Sequence, residues 1–297
     1  MQRSSWRWLI AILAVSITLG IPTVRAADPP AVTKTWDIAY ASPGDTALRL
    51  DLVQPAAAKG PLPAVLVIHG GAWREGGKEE NRRLLIDFAR RGYAAISPQY
   101  RFCPKDTFPA QVQDVKAAVR WLRSNAASLD VDPARIGAMG FSAGAHLALM
   151  LGVTGPEDGL DGAVPSGAPS SRVAAVVGFY PPVDLAAPEL SEFGRSLVKD
   201  FLGASAAEKP GLARKASPLT FVSRGDAPAL VFQGTKDSLV PDSQALNFAR
   251  AMTAAGVPGR VELFVGAEHG FGGDDYTHAM AETFEFFDLY LKGKRTR

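Results

Sequence analysis

An α/β fold with a mostly parallel central sheet flanked by helices is predicted for this chain of 297 residues by three features. Short apolar runs of strand length alternate with stretches of helical period along most of the chain. One run, Ile136-Gly137-Ala138-Met139, enters the tight turn Gly140-Phe141-Ser142-Ala143-Gly144, and the helical run Ala145-His146-Leu147-Ala148-Leu149 leaves it. Two further apolar runs end in polar residues, Asp237 and His269, each just past a strand end.

Taken in order, residues 36–39 and 48–53 are lead-in strands. Residues 64–68 form an apolar run short enough for a buried strand. It empties into His69-Gly70-Gly71-Ala72-Trp73, a loop whose small residues leave amide N–H groups bare. A helix over 79–91 and a strand over 94–97 follow, then a helix over 109–125 with Val112, Val115, Val119 and Leu122 on one face. Residues 229–233 are a buried-strand pattern ahead of Gly234-Thr235-Lys236-Asp237, and residues 241–255 are helical. A strand over 261–265 leads to Gly266-Ala267-Glu268-His269, and the last helix covers 275–291 with Met280, Phe284, Phe287 and Leu291 on one face. Two stretches break the alternation. Residues 154–171 are rich in Gly, Pro, Ser and Ala, and residues 180–225 hold a helical pattern over 190–201 followed by turns.

A serine on a sharp strand-to-helix turn is lifted to where a base can reach it, and glycines on both sides let so tight a turn close. Ser142 is therefore the candidate nucleophile. Of the four histidines, His69 belongs to the loop after residue 68, while His146 and His278 lie inside helices; only His269 follows a strand on a glycine-rich loop, which makes it the candidate base. Asp237 is the candidate partner of that base, because its rival Asp242 follows Pro241 and suits the first turn of a helix. Backbone N–H groups of Ala143 and Gly71, with Ala72 beside or in place of Gly71, are the candidate oxyanion donors. The chain order is oxyanion loop, serine, aspartate, histidine, which is the α/β-hydrolase order and neither that of chymotrypsin nor that of subtilisin.

On these residues the chain resembles the α/β-hydrolase superfamily, and within it the esterase/lipase group around hormone-sensitive lipase and the bacterial feruloyl-esterase-like (BD-FAE-type) enzymes. Further matching segments are Gln99-Tyr100-Arg101, Phe108-Pro109-Ala110 with Asp114, Asp130-Val131-Asp132-Pro133-Ala134-Arg135-Ile136, Tyr180-Pro181-Pro182-Val183-Asp184-Leu185 and Ala216-Ser217-Pro218-Leu219. Two positions depart from the hormone-sensitive-lipase pattern: Ala72 stands where a third glycine is usual, and Phe141 where an acid often precedes the serine. The resemblance implies an α/β-hydrolase catalytic domain over 27–297 with a small cap from segments 154–172 and 180–225, which would form part of the acyl or alcohol pocket. It implies a serine carboxylic-ester hydrolase acting through an acyl-enzyme on short-acyl or aryl esters, with acetylated or feruloylated saccharides among its substrates. Trp73 and Phe141 are expected to bind substrate, and Asp114 and Asp184 to be structural. Cleavage of a small amide, peptide or thioester is the alternative chemistry, and a non-catalytic hydrolase-fold binding protein the alternative class.

The composition narrows the partners. With 32 Lys and Arg against 30 Asp and Glu, the net charge is +2, and no basic patch interleaved with aromatics appears in the body, so nucleic acid is not an expected partner. The basic end, Lys292 to Arg297, reads as a solvated tail. Arg3 and Arg7 precede an apolar run from Trp8 to Leu19, and Val24-Arg25-Ala26 offers small residues for cleavage, so residues 1–26 read as a signal peptide removed after Ala26. The run is short for a spanning helix, an uncleaved anchor being the other reading, and no stable membrane span is expected after processing. Cys103 is the single cysteine and reads as a packed thiol. Gly76-Gly77-Lys78 lacks the spacing of a phosphate loop, and no metal or cofactor is expected.

Overall fold

The computed structural model describes residues 29–58 and 60–293. The signal peptide expected over residues 1–26 and the tail residues 294–297 lie outside them. Eight strands form one sheet: β1 Val32–Ala41, β2 Leu48–Pro55, β3 Leu62–Ile68, β4 Ala94–Pro98, β5 Val131–Phe141, β6 Ala175–Phe179, β7 Ala229–Gly234 and β8 Gly259–Phe264. Their order across the sheet is β1-β2-β4-β3-β5-β6-β7-β8. β2 pairs antiparallel with both β1 and β4, and from β4 to β8 every pairing is parallel. This is the mostly parallel α/β-hydrolase sheet that the sequence predicts.

Helices cover both faces, which is why the central strands are nearly continuous apolar runs. Along β3, Val65 and Val67 point to one side, where α1 (Arg82–Arg90) and α7 (Gly273–Lys292) supply Leu85, Phe88, Phe284 and Phe287. Leu66 and Ile68 point to the other, into an apolar layer that also holds Val115 of α2 (Ala110–Ser124), Leu147 of α3 (Ala143–Val153) and Phe248 of α6 (Asp242–Ala255). Fully burying such side chains contributes about 1.5–3 kcal/mol each, so the two apolar layers fix the sheet whose loops carry Ser142, Asp237 and His269. No described helix is long and apolar enough to cross a membrane.

Several boundaries differ from the sequence expectation. The helix expected over 79–91 begins only at Arg82, because Lys78–Asn81 winds as a 3-10 turn whose Lys78 ammonium is pulled inside to Asp51 at 3.0 Å and Asp37 at 2.9 Å. β5 starts five residues ahead of Ile136, and β8 stops at Phe264, leaving Val265 93% exposed. The helix expected over 190–201 is α4, Glu192–Leu202, with Ser191 capping its first turn through Gly194 N–H at 3.0 Å. The turns expected after it include a short helix, α5 (Pro210–Lys215), opened by a proline at its first position.

Residues 154–171 do not cover the end of the sheet that carries Ser142. Ser142 stands at the C-terminal end of β5, and the eleven residues of α3, about 16 Å of helix, carry the chain back to the opposite end before Thr154. There the segment is pinned to α2 by Lys116 and Arg120, each 3.1 Å from Asp161. The expectation that it helps to build a cap over the site is corrected. The 180–225 excursion follows β6 at the same end as Ser142.

Candidate active site

Ser142 sits between β5 and α3 with φ 51° and ψ −117°, a conformation that costs a non-glycine residue about 1–3 kcal/mol. Its surroundings hold it there. The Ser142 N–H donates to Phe179 O at 2.9 Å, and the His146 N–H donates to Ser142 O at 3.0 Å. Gly144 lets the new helix start against β3: a Cβ there would lie 2.2 Å from Ile68 O and 2.4 Å from His69 O.

Asp237 and His269 come to Ser142 from the loops after β7 and β8. His269 Nδ1 lies 2.7 Å from Asp237 Oδ2, and His269 Nε2 lies 2.9 Å from Ser142 Oγ. Since an ionised carboxylate only accepts, the proton belongs on Nδ1, and the lone pair of Nε2 then receives the serine O–H. The Asp237 side chain is fully buried, and four hydrogen bonds offset its removal from water. Its Oδ1 accepts the N–H groups of Leu239 at 3.0 Å and Val240 at 2.8 Å, while Oδ2 accepts Gln233 Nε2–H at 2.9 Å as well as the imidazole. The Tyr180 ring covers one side of the His269 imidazole at 4.6 Å between centroids. The rivals lie elsewhere: Asp242 opens α6, and His278 bonds Glu262 at 2.6 Å in an exposed pair.

The loop after β3 is wound by three successive left-handed residues, Gly71 at φ 99°, Ala72 at 51° and Trp73 at 60°. Only glycine suits the first, where a Cβ would stand 2.1 Å from Glu75 O. Cys103 N–H holds Trp73 O at 2.9 Å, and Tyr100 Oη donates toward His69 O and Gly70 O at 3.1 and 3.0 Å. His69 stacks on Tyr100 at 4.4 Å and donates Nδ1–H to Gly70 O at 2.8 Å; burial lowers its pKa, so it stays neutral. Among the described residues, the amides of Gly71, Ala72 and Ala143 donate to no protein acceptor.

Two cavities meet at Ser142. The larger is an open cleft of about 960 Å³ that reaches Gly71, Ala72, Phe141 and His269 and extends past Arg74, Glu75 and the exposed Phe193. The smaller, about 30 Å³, is apolar, and Ala72, Trp73, Ala143, Leu190, Leu197 and Val240 are among the residues that line it. Trp73 and Phe141 thus border different cavities, the first the small one and the second the cleft. Cys103 is buried, and burial pushes its thiol up to about 11. Asp114 holds the Arg101 guanidinium at 2.7 Å, and Asp184 Oδ1 accepts the Ala186 N–H at 2.9 Å; neither residue lines the two cavities at Ser142.

Gln233, Tyr180 and His146 were not among the residues to which sequence reasoning gave a part in the site. Gln233 had a signal, being the lone amide at the end of an apolar strand four residues before Asp237.

A family model described as BD-FAE matches residues 50–252, more than half of the chain. The chain belongs to the BD-FAE family. Esterase LipC of Mycobacterium tuberculosis is 34% identical over 218 residues, which are 71% of this chain and 53% of that protein. The chain spans about half the length of the curated relatives it matches. Among solved structures, a truncated carbohydrate esterase from gut microbiota superposes with a TM-score of 0.78 at 29% identity, over 90% of this chain and 99% of that one. The thermophilic esterase Est2 of Thermogutta terrifontis gives 0.73 at 29% identity, over 90% and 95%, and has also been solved with propionate and with butyrate bound. The matched residues of the BD-FAE domain run from β2 into α6 and include Ser142 and Asp237, while His269 lies C-terminal to them.

Proposed function

We propose that this chain is a serine carboxylic-ester hydrolase for short-acyl esters. The observation that carries the reading is the unbroken hydrogen-bond chain from Ser142 Oγ through His269 to Asp237, at 2.9 and 2.7 Å. His269 takes the serine proton as Oγ attacks the ester carbonyl, Asp237 stabilises the imidazolium, and the same imidazole returns a proton to the leaving alcohol. Water then repeats the sequence on the acyl-enzyme. The amides of Ala143 and of Gly71 or Ala72, which have no protein acceptor of their own, are the donors for the tetrahedral oxyanion.

The two cavities support a short acyl group. The small cavity, about 30 Å³ against about 960 Å³ for the cleft, is apolar and suits the end of a short acyl chain. The open cleft is left for the alcohol, and its mixture of charged side chains with Phe193 suits an aryl or saccharide alcohol. Est2, solved with propionate and butyrate, and the gut carbohydrate esterase support acyl groups and alcohols of these classes.

Turnover of p-nitrophenyl acetate, before and after one equivalent of a serine-directed phosphonate, tests the reading. Expected are hydrolysis, its loss in step with labelling, and a label on Ser142 that Ser142→Ala removes. A folded protein that neither turns over the ester nor takes the label would instead be a binding protein of this fold. Export is the companion proposal, read from residues 1–26. Mass spectrometry of the exported protein should find Ala27 at its N-terminus, and Met1 retained in a membrane fraction would mark an anchor.

A further inference from the structure

We propose that His146 is a positioning residue that sets the size of the acyl cavity by holding the indole of Trp73. The inference rests on the ester-hydrolase reading of Ser142 and adds to it the element that fixes acyl length. His146 stands one helical turn beyond Ser142 in α3, and its ring is fully buried. Trp73 Nε1–H donates to His146 Nδ1 at 3.2 Å, and His146 Nε2 lies 2.7 Å from Ala216 O. An indole N–H can only donate and a carbonyl can only accept, so the two partners together require the neutral ring protonated on Nε2. No charged side chain takes part in either bond.

What the imidazole holds is a wall of the small cavity. The Trp73 indole is 4% exposed; it stacks on Phe201 of α4 at 4.3 Å and 16° and meets His146 edge-on at 5.2 Å. Leu190, Leu197 and Val240 line the same cavity. The Phe201 stack leaves the indole free to slide in its own plane, and the bond to Nδ1 removes that freedom. Ala216, the residue after α5, belongs to the 180–225 excursion, so one ring ties the loop after β3, the helix after Ser142 and that excursion together. Without the Nδ1 acceptor, only stacking and packing hold the indole, so a longer acyl chain can displace it and the cavity lengthens.

The test compares wild type, His146→Leu and His146→Gln on p-nitrophenyl acetate, butyrate and hexanoate, with kcat and KM separated. Each additional buried methylene is worth roughly fourfold in binding, so His146→Leu should raise the hexanoate-to-acetate ratio of kcat/KM by at least about tenfold, mainly through KM. His146→Gln, which can accept from Trp73 and donate to Ala216, should keep the wild-type ratio. A folded His146→Leu variant with an unchanged ratio overturns the inference. Histidine 15N spectra supply a measurement that needs no variant of His146. Wild type should show one buried ring protonated on Nε2, and Trp73→Phe should move its Nδ1 resonance; a ring protonated on Nδ1 overturns the inference as well. A wild-type protein inert toward every ester overturns the hydrolase reading itself, an outcome distinct from an active enzyme whose chain-length ratio does not move.

Discussion

Gln233 and Asp237 are joined inside the protein by a hydrogen bond of 2.9 Å. The amide also donates to Val240 O at 2.9 Å, so Gln233 fixes both the carboxylate and the turn that wraps it. Both acceptors are oxygens, which settles the orientation of the amide.

Replacing Gln233 by Leu therefore removes a bond to a charged group without removing the carboxylate. Such bonds contribute roughly 1.5–3 kcal/mol, and if Asp237 orients the base, kcat for p-nitrophenyl acetate should fall about ten- to hundredfold with little change in KM. Asp237→Asn should cost more, because the amide cannot stabilise the imidazolium. Steady-state kinetics on variants with unaltered circular dichroism decide this, and an unchanged kcat in Gln233→Leu would show that the backbone donors of Leu239 and Val240 suffice.

A second expectation concerns the turn itself. In Gly144→Ala the new methyl would stand 2.2 and 2.4 Å from two backbone carbonyl oxygens, neither of which can swing aside without moving the end of β3. The variant should lose most of its activity and several kcal/mol of stability, or fail to accumulate as folded protein. Gly211→Ala is the matched control: it lies in α5, a Cβ there meets nothing within 4 Å, and it should be neutral or stabilising by up to about 1 kcal/mol. Thermal melts of the two variants should separate clearly. Equal melting temperatures would mean that the turn relaxes more easily than its contacts imply.

Most of the architecture was legible because the signals were local. Buried strands announce themselves by apolar runs, and Ser142, Asp237 and His269 each follow such a run at the same end of the sheet. What composition alone could not tell was where an insertion goes. Residues 154–171 and 180–225 both break the alternation of strand and helix, yet the first connects a helix to a strand and the second follows a strand. In a parallel sheet those two kinds of connection lie at opposite ends, so only the second reaches Ser142. His146 and Lys78 were opaque for a different reason. Their roles are set by Trp73 at 73 residues' separation and by Asp51 at 27, and no local pattern reports such pairs.

Cys103 gives a prediction that can be read without any ester. Its thiol is buried and pushed up to about 11, chiefly by loss of water and further by the charge of Asp200. At pH 8 about one molecule in a thousand carries the thiolate, which is the reactive form. A chromogenic disulfide reagent should therefore react slowly with the native protein and at the rate of an ordinary thiol in denaturant. Rapid stoichiometric labelling of the native protein would mean that the segment around Cys103 opens readily.

Acid should loosen the protein through His146. Burial pulls this imidazole down to about 4 from the ordinary histidine value of 6.5, the bond to Ala216 O working in the opposite direction. Between those two values the unfolded chain binds a proton that the folded chain refuses, so stability must rise with pH across the window. The contribution is fully present above pH 6.5, drains away as the pH falls toward 4, and stays lost below. Two and a half pKa units correspond to roughly 3 kcal/mol, a substantial part of a typical folding free energy. Urea unfolding of wild type at pH 7.5 and pH 4.5 should show a loss of roughly 2–3 kcal/mol that His146→Gln, having nothing to protonate there, does not share. Carboxylates titrate identically in both proteins, so the difference between the two pH dependences isolates the imidazole. Parallel losses in wild type and variant would place the acid sensitivity elsewhere and remove the buried neutral ring as its cause.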